Sequence, residues 1–164
     1  MKNKSLFSLI CLVFLTTIQA QVAIGKKNID GLGIIDFAPN LNRGIVLPYT
    51  SLITSPTNGT FTFDIVSKKV KLFSNNNWEN MTFEGSVSTN YPFEPDTNTN
   101  NLIIGAASSD AKGVLILESN NRALILPKVN DVTTLFNPAA GTICYDLATN
   151  SLAIFNGIEW SFWK

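Results

Sequence analysis

Any chemistry in this chain would have to be built from carboxylates, lysines, tyrosines and hydroxyls. Its 164 residues include no histidine and two cysteines, Cys11 and Cys144. That inventory removes the Ser-His-Asp and Cys-His nucleophile arrangements, and with them the usual zinc and copper ligand sets. No G-x-S-x-G, phosphate-loop or G-x-G-x-x-G spacing occurs. Glu118 or Glu159, each with an aspartate, is the pairing a glycosidase would use, but both fall at strand edges with no cleft implied. Asp64 and Asp146 lack the Asp-x-Asp-x-Asp clustering of a calcium loop, which assigns them to turns. The expectation is a non-catalytic protein without cofactor or metal.

Binding offers more candidates. Trp78, Trp160 and Trp163 are ring faces suited to sugars; the spacing instead assigns Trp78 and Trp160 to closing a core and leaves Trp163 at the rim. A carbohydrate-binding or fibre-tip module would further need Trp163, Tyr49 or Tyr91 exposed. Arg43 and Arg122 recur before matching apolar stretches, where each can meet an acidic glycan, bond a turn, or pair with Asp64 or Asp146. Cys144 lies on the strand face opposite Ile143 and Tyr145. It is either an intermolecular contact or an inert buried thiol.

The charge balance excludes nucleic acid as an evident partner, since twelve basic residues meet twelve acidic ones. Residues 1–20 read as a Sec signal: Lys2 and Lys4 in front, an apolar Leu6 to Ile18, and Ala20 before Gln21. The apolar run is too short to span a bilayer, so the mature chain carries no expected transmembrane segment. Cleavage leaves one thiol, Cys144, which cannot close a disulfide within the chain.

The strongest pattern is an internal repeat. Val22-Ala23-Ile24-Gly25 answers Leu102-Ile103-Ile104-Gly105, and Gly33 follows Gly25 as Gly113 follows Gly105. Arg43-Gly44-Ile45-Val46-Leu47-Pro48 answers Arg122-Ala123-Leu124-Ile125-Leu126-Pro127. After a three-residue length difference, Pro56, Gly59, Thr60, Asp64, Phe73 and Trp78 fall on Pro138, Gly141, Thr142, Asp146, Phe155 and Trp160. The organisation is a signal over 1–20, a first β repeat over 21–82, a polar linker over 83–101 and a second repeat over 102–164. Tyr91 and Phe93 are the linker residues expected to dock it.

Period-two alternation in Phe61-Thr62-Phe63 and Lys69-Val70-Lys71-Leu72 marks strands. Ile143 and Tyr145 match Leu152 and Ile154 in the same way. Asn156-Gly157 and Asn75-Asn76 are hairpin turns, so each copy ends in a three-strand meander. Gly33 to Phe37 with Arg43 to Leu47, and Gly113 to Glu118 with Arg122 to Leu126, read as two further hairpins. Helix is expected only over Asn130 to Phe136, capped by Asn130 or Asp131 and stopped by Pro138. The fold class is mostly β: two tandem small meander repeats with at most one short helix. A sixty-residue β unit without staple or metal buries too little surface to stand alone. Short apolar strands followed by glycine suit an intertwined trimer better than a closed sandwich.

The second copy resembles a short repeat of secreted and surface proteins of gliding Bacteroidota. The matching residues are Lys112-Gly113, Leu124-Ile125-Leu126-Pro127, Asn137-Pro138-Ala139-Ala140-Gly141, Cys144-Tyr145-Asp146, Asn150-Ser151-Leu152 and Asn156-Gly157-Ile158-Glu159-Trp160. Such units are similar to phage tail-fibre segments, which implies trimeric β architecture. The resemblance also implies an accessory of the large mobile surface adhesin of gliding motility, with that adhesin or envelope proteins as partners. No stretch after Trp160 is long enough for a type IX sorting domain. That departure favours the periplasm or an outer-membrane attachment over release.

Overall fold

The computed structural model describes residues 21–87 and 101–164. The signal and the linker aromatics Tyr91 and Phe93 lie outside the described residues. Fourteen strands and one 3-10 turn make up the regular structure among them.

Each repeat opens with a parallel pair. β1 (Val22–Ile24) runs beside β2 (Gly33–Phe37), and β8 (Leu102–Ile104) runs beside β9 (Leu115–Leu117). Val22 faces Ile35 as Leu102 faces Leu115, so the register repeats with the sequence. Each repeat closes with the expected meander. In the first, β5 (Phe61–Asp64), β6 (Lys69–Ser74) and β7 (Asn77–Asn80) are antiparallel, with β4 (Tyr49–Thr50) added parallel to β5. The second has β12 (Thr142–Asp146), β13 (Ser151–Phe155) and β14 (Trp160–Trp163), with β11 (Lys128–Val129) parallel to β12. Ile143 faces Ile154 and Tyr145 faces Leu152, as the alternation predicts.

The other two expected hairpins do not form. β3 (Ile45–Val46) leaves its own repeat and pairs antiparallel with β12, while β10 (Ala123–Leu124) pairs parallel with β2. The connection from β2 to β3 carries Pro39 and two asparagines with positive φ, Asn40 and Asn42, and it redirects the chain instead of reversing it tightly. Gly44 then lets β3 close on its target, for a Cβ there would sit 2.8 Å from the Ile143 carbonyl oxygen.

This exchange gives the repeats a shared core. Leu47, Phe63, Val70 and Met81 of the first repeat pack with Ala140, Ile143 and Ile154 of the second. Tyr49 donates its hydroxyl to the Ala140 carbonyl at 2.7 Å, and the Leu47 amide donates to the Gly141 carbonyl at 3.0 Å. A second cluster, Val129, Val132, Cys144 and Ala153, belongs to the second repeat alone.

The expected two-turn helix is a single 3-10 turn over Val132–Thr134, with the Asp131 side chain accepting from the Thr133 amide. Two threonines and the stop at Pro138 leave too few good helix formers for a longer element.

Two aspartates on ammonium partners set an acid limit on this fold. Burial pushes the Asp36 carboxyl up, but the Lys26 ammonium and the Asp30 amide outweigh it and hold it below its ordinary 3.8. Asp64 behaves likewise with Lys71 and the Ser67 and Val66 amides. The folded chain therefore binds fewer protons than the unfolded one at low pH. The stability these groups contribute is present above about pH 4 and is lost as pH falls through their depressed values. Melting temperature should be level from about pH 5 to 7 and fall below about pH 4; a decline that starts near neutrality would contradict the assignment.

Candidate interaction surface

The four residues singled out from sequence are not assembled into one site. Arg43 is exposed ahead of β3, and Arg122 is half-buried in a shallow depression with Leu32, Gly33, Ser119, Asn121 and Ile125. Neither forms an ion pair among the described residues. Asp64 instead binds Lys71, and Asp146 is consumed by its turn. Of the roles read for the arginines, pairing with these aspartates does not occur among the described residues: the carboxylates are taken by Lys71 and by turn amides. Asp64 accepts from the Val66 and Ser67 amides, and Asp146 from Val132 and from Thr149, which is the turn role read from sequence.

Cys144 does lie on the face opposite Ile143, but that face is a second core. The 3-10 turn and Trp160 cover it, leaving the thiol fully buried and unpaired. An intermolecular contact through Cys144 is thus corrected to inert packing. In the first repeat the aligned face is polar instead, with the Thr50 and Thr62 hydroxyls 2.8 Å apart. Burial, with a smaller contribution from the Asp146 charge, pushes the Cys144 thiol up to about 12. A thiol reagent such as DTNB should leave the native protein unlabelled and label one thiol per mature chain after denaturation, with no dimer band on a non-reducing gel. Rapid labelling of native protein would show the cluster to be open.

Of the aromatics, Trp163 keeps 45 % of its surface exposed while its indole N–H donates to the Met81 carbonyl at 2.9 Å. It thus ties the end of the second repeat to the end of the first meander. Trp160 packs beside Phe155 against the second cluster, as expected of a closing residue. Trp78 does not close a core: it stands exposed, edge-on to Phe73. Tyr49 is held by Phe63 and Ala140 instead of facing outward.

Sequence reading missed a second tie between the halves. Residues 83–87, at the start of the linker, lie on the last hairpin loop. The Ser86 amide donates to the Asn156 carbonyl, and the Asn156 side-chain amide donates to the Phe83 carbonyl. A Cβ on Gly85 would overlap the Asn156 backbone, and one on Gly157, where φ is +95°, would overlap Ser86. Gly85 lies on Asn156 and Gly157 on Ser86, and no local sequence pattern marks such a meeting of two loops.

What remains is a set of unpaired strand edges. Among the described residues β9 has β8 on one side and no strand on the other, whereas β2, its counterpart, lies between β1 and β10. The side chains follow suit: Ile34 and Ile35 are 2 % and 4 % exposed, but the aligned Val114 and Leu115 are 56 % and 43 % exposed. The outer edges of β3 and β10 also carry no strand among the described residues, and Val46 and Leu124 are exposed there. Unpaired amides and carbonyls beside apolar side chains form a template for another strand. Among the described residues no group of three or more potential metal ligands occurs, and no helix is long and apolar enough to cross a membrane.

Residues 103–163 match a family model described as a phage tail like trimerisation region. The match spans most of the second repeat, including β9, and is consistent with a structural, oligomerising, fibre-like role. No curated protein and no solved structure matches the chain.

Proposed function

We propose that this chain is a non-catalytic, exported structural protein that assembles into a homotrimer. In this reading it serves as an accessory to a large cell-surface adhesin of gliding motility. The observation that carries the reading is the trimerisation-region match over residues 103–163, the stretch that holds the open edge of β9. Support for the gliding context comes from the sequence resemblance of the second repeat. Support for an envelope address comes from the signal-like residues 1–20. The mechanism is assembly: strand edges recruit further chains, and the exposed rim around Trp163 and Phe162 is left for the larger partner.

Deletion of the gene in its native host, with single cells followed on glass, tests the cellular role. Loss of movement and of adhesin display, restored by the wild-type gene, is expected. Normal gliding would remove the accessory role and leave a fibre-forming protein serving some other surface structure.

A further inference from the structure

We infer that the second repeat of one chain receives the first repeat of the next through a defined strand register, in which β3 of the neighbour lies along β9 with Val46 seated over Gly113. The inference rests on the oligomeric reading above and names its contacts.

The chain displays the interaction once within itself. β10 runs parallel to β2 with Ala123 opposite Gly33 and, after a register shift, Leu124 opposite Ile35, and the Ile125 amide donates to the Ile35 carbonyl at 3.3 Å. Gly33 leaves room for the Ile125 side chain, since a Cβ there would come within 2.6 Å of Ile125 Cδ1. The repeat alignment converts each residue. Gly113 takes the place of Gly33, Leu115 that of Ile35, Gly44 that of Ala123 and Val46 that of Ile125. Among the described residues the aligned edge in the second repeat is vacant: a Cβ on Gly113 would meet nothing nearer than the Leu115 carbonyl oxygen at 3.7 Å.

The donor strand is free on the required side. The Leu47 amide points at the carbonyl of Gly141, the residue before β12, and pairing directions alternate along a strand. The Val46 amide therefore points outward, as the Ile125 amide does toward β2. β3 can hold β12 of its own chain and β9 of another at the same time.

Two further correspondences point to the same neighbour. Within the chain, Ile34 lies against Gly105, where a Cβ would fall 2.7 Å from Ile34 Cδ1. Of the aligned pair, Val114 is exposed and Gly25 lies against Ala38 and Leu41 of its own chain, with Val114 not among its nearest neighbours; the proposed register brings Val114 of one chain to this side of Gly25 of the next. Likewise β3 covers Thr142 and Ile143 at the start of β12, whereas the aligned Thr60 and Phe61 at the start of β5 have no such strand and are less buried. The outer edge of β10 is positioned to supply it. All three contacts run from a second repeat to the first repeat of the following chain. Such a head-to-tail interface closes into a ring when its rotation permits.

The test uses the purified protein. Gly113→Val fills space that is empty within the chain, so it should leave the circular dichroism spectrum unchanged and reduce the light-scattering mass to that of one chain. Independently, single variants Val46→Cys and Gly113→Cys are mixed, exchanged and oxidised. A reducible dimer band in the mixture, above that of either variant alone, is expected. An oligomeric wild type that keeps its mass in Gly113→Val and gives no mixed cross-link would overturn this register and leave the oligomeric reading standing. A wild type that is monomeric at all concentrations would overturn both.

Discussion

Replacing Phe63 with alanine is expected to lower the free energy of unfolding by about 3–5 kcal/mol, and to do so for both repeats at once. Phe63 is fully buried on β5, packs at 5.0 Å centroid distance on Tyr49, and stands beside Gly141 of the second repeat. Its cluster draws on both halves, so the cavity left by truncation is lined by residues of each. A loss of that size is a large fraction of the roughly 5–15 kcal/mol that holds a typical domain together. Urea denaturation at fixed protein concentration checks it, with Trp78 reporting on the first meander and Trp160 and Trp163 on the second. Single-region tryptophan variants should give superimposable transitions, displaced equally by Phe63→Ala. Two separate transitions, with only that of Trp78 displaced, would mean that the repeats fold as independent bodies.

The sequence made the meanders legible because their signals are local. Alternation placed β5, β6, β12 and β13 in register, and Asn75-Asn76 adopts positive φ at both positions, as a two-residue type I′ hairpin requires. The second hairpin shows the limit of such signals. Asn156-Gly157 does mark the turn, but the two central residues are Gly157 and Ile158, with positive φ at Gly157 alone, the φ pattern of type II′. Asn156 is instead the buried residue before them, whose Oδ1 accepts from the Ile158 and Glu159 amides.

What was not legible is where short strands of two or three residues find their partners. Nothing in Ile45-Val46 or Ala123-Leu124 distinguishes a hairpin return from a crossing to the other repeat. The choice is made by the room that Gly44 and Gly33 leave for the opposing chain. The candidate surface was hidden for the same reason. Arg43, Arg122 and Cys144 stood out by residue type, whereas the surface consists of backbone edges exposed by a duplicated unit that fills them only once. Gly113 was visible as a repeat position, but its significance needed the contact of Gly33 with Ile125.

The two aligned aspartates should differ sharply in cost, although the sequence gives them one role. Asp146 is buried at 1 % exposure, with Oδ1 accepting from the Val132 amide at 3.1 Å and Oδ2 from the Thr149 amide at 2.9 Å and hydroxyl at 2.6 Å. Through Val132 it holds the 3-10 turn over the Cys144 cluster, a task with no counterpart in the first repeat. Asp146→Ala strands buried donors that cost about 1–3 kcal/mol each, and a total loss of about 3 kcal/mol is expected. Asp64 binds the same kind of turn nearer to solvent, and its ion pair with Lys71 is partly screened, so Asp64→Ala should cost only about 1 kcal/mol. Asp146→Asn separates the two duties. The amide oxygen can keep one amide donor, but the NH2 cannot accept from the other, so a loss between those of Asp64→Ala and Asp146→Ala is expected. Cys144 labelling then distinguishes the arms. Early thiol exposure in Asp146→Asn would mean that the Val132 contact was the one lost, and a protected thiol with lower stability would assign the loss to the Thr149 turn. Equal costs for Asp64→Ala and Asp146→Ala would show that the extra bond to Val132 contributes nothing to the fold.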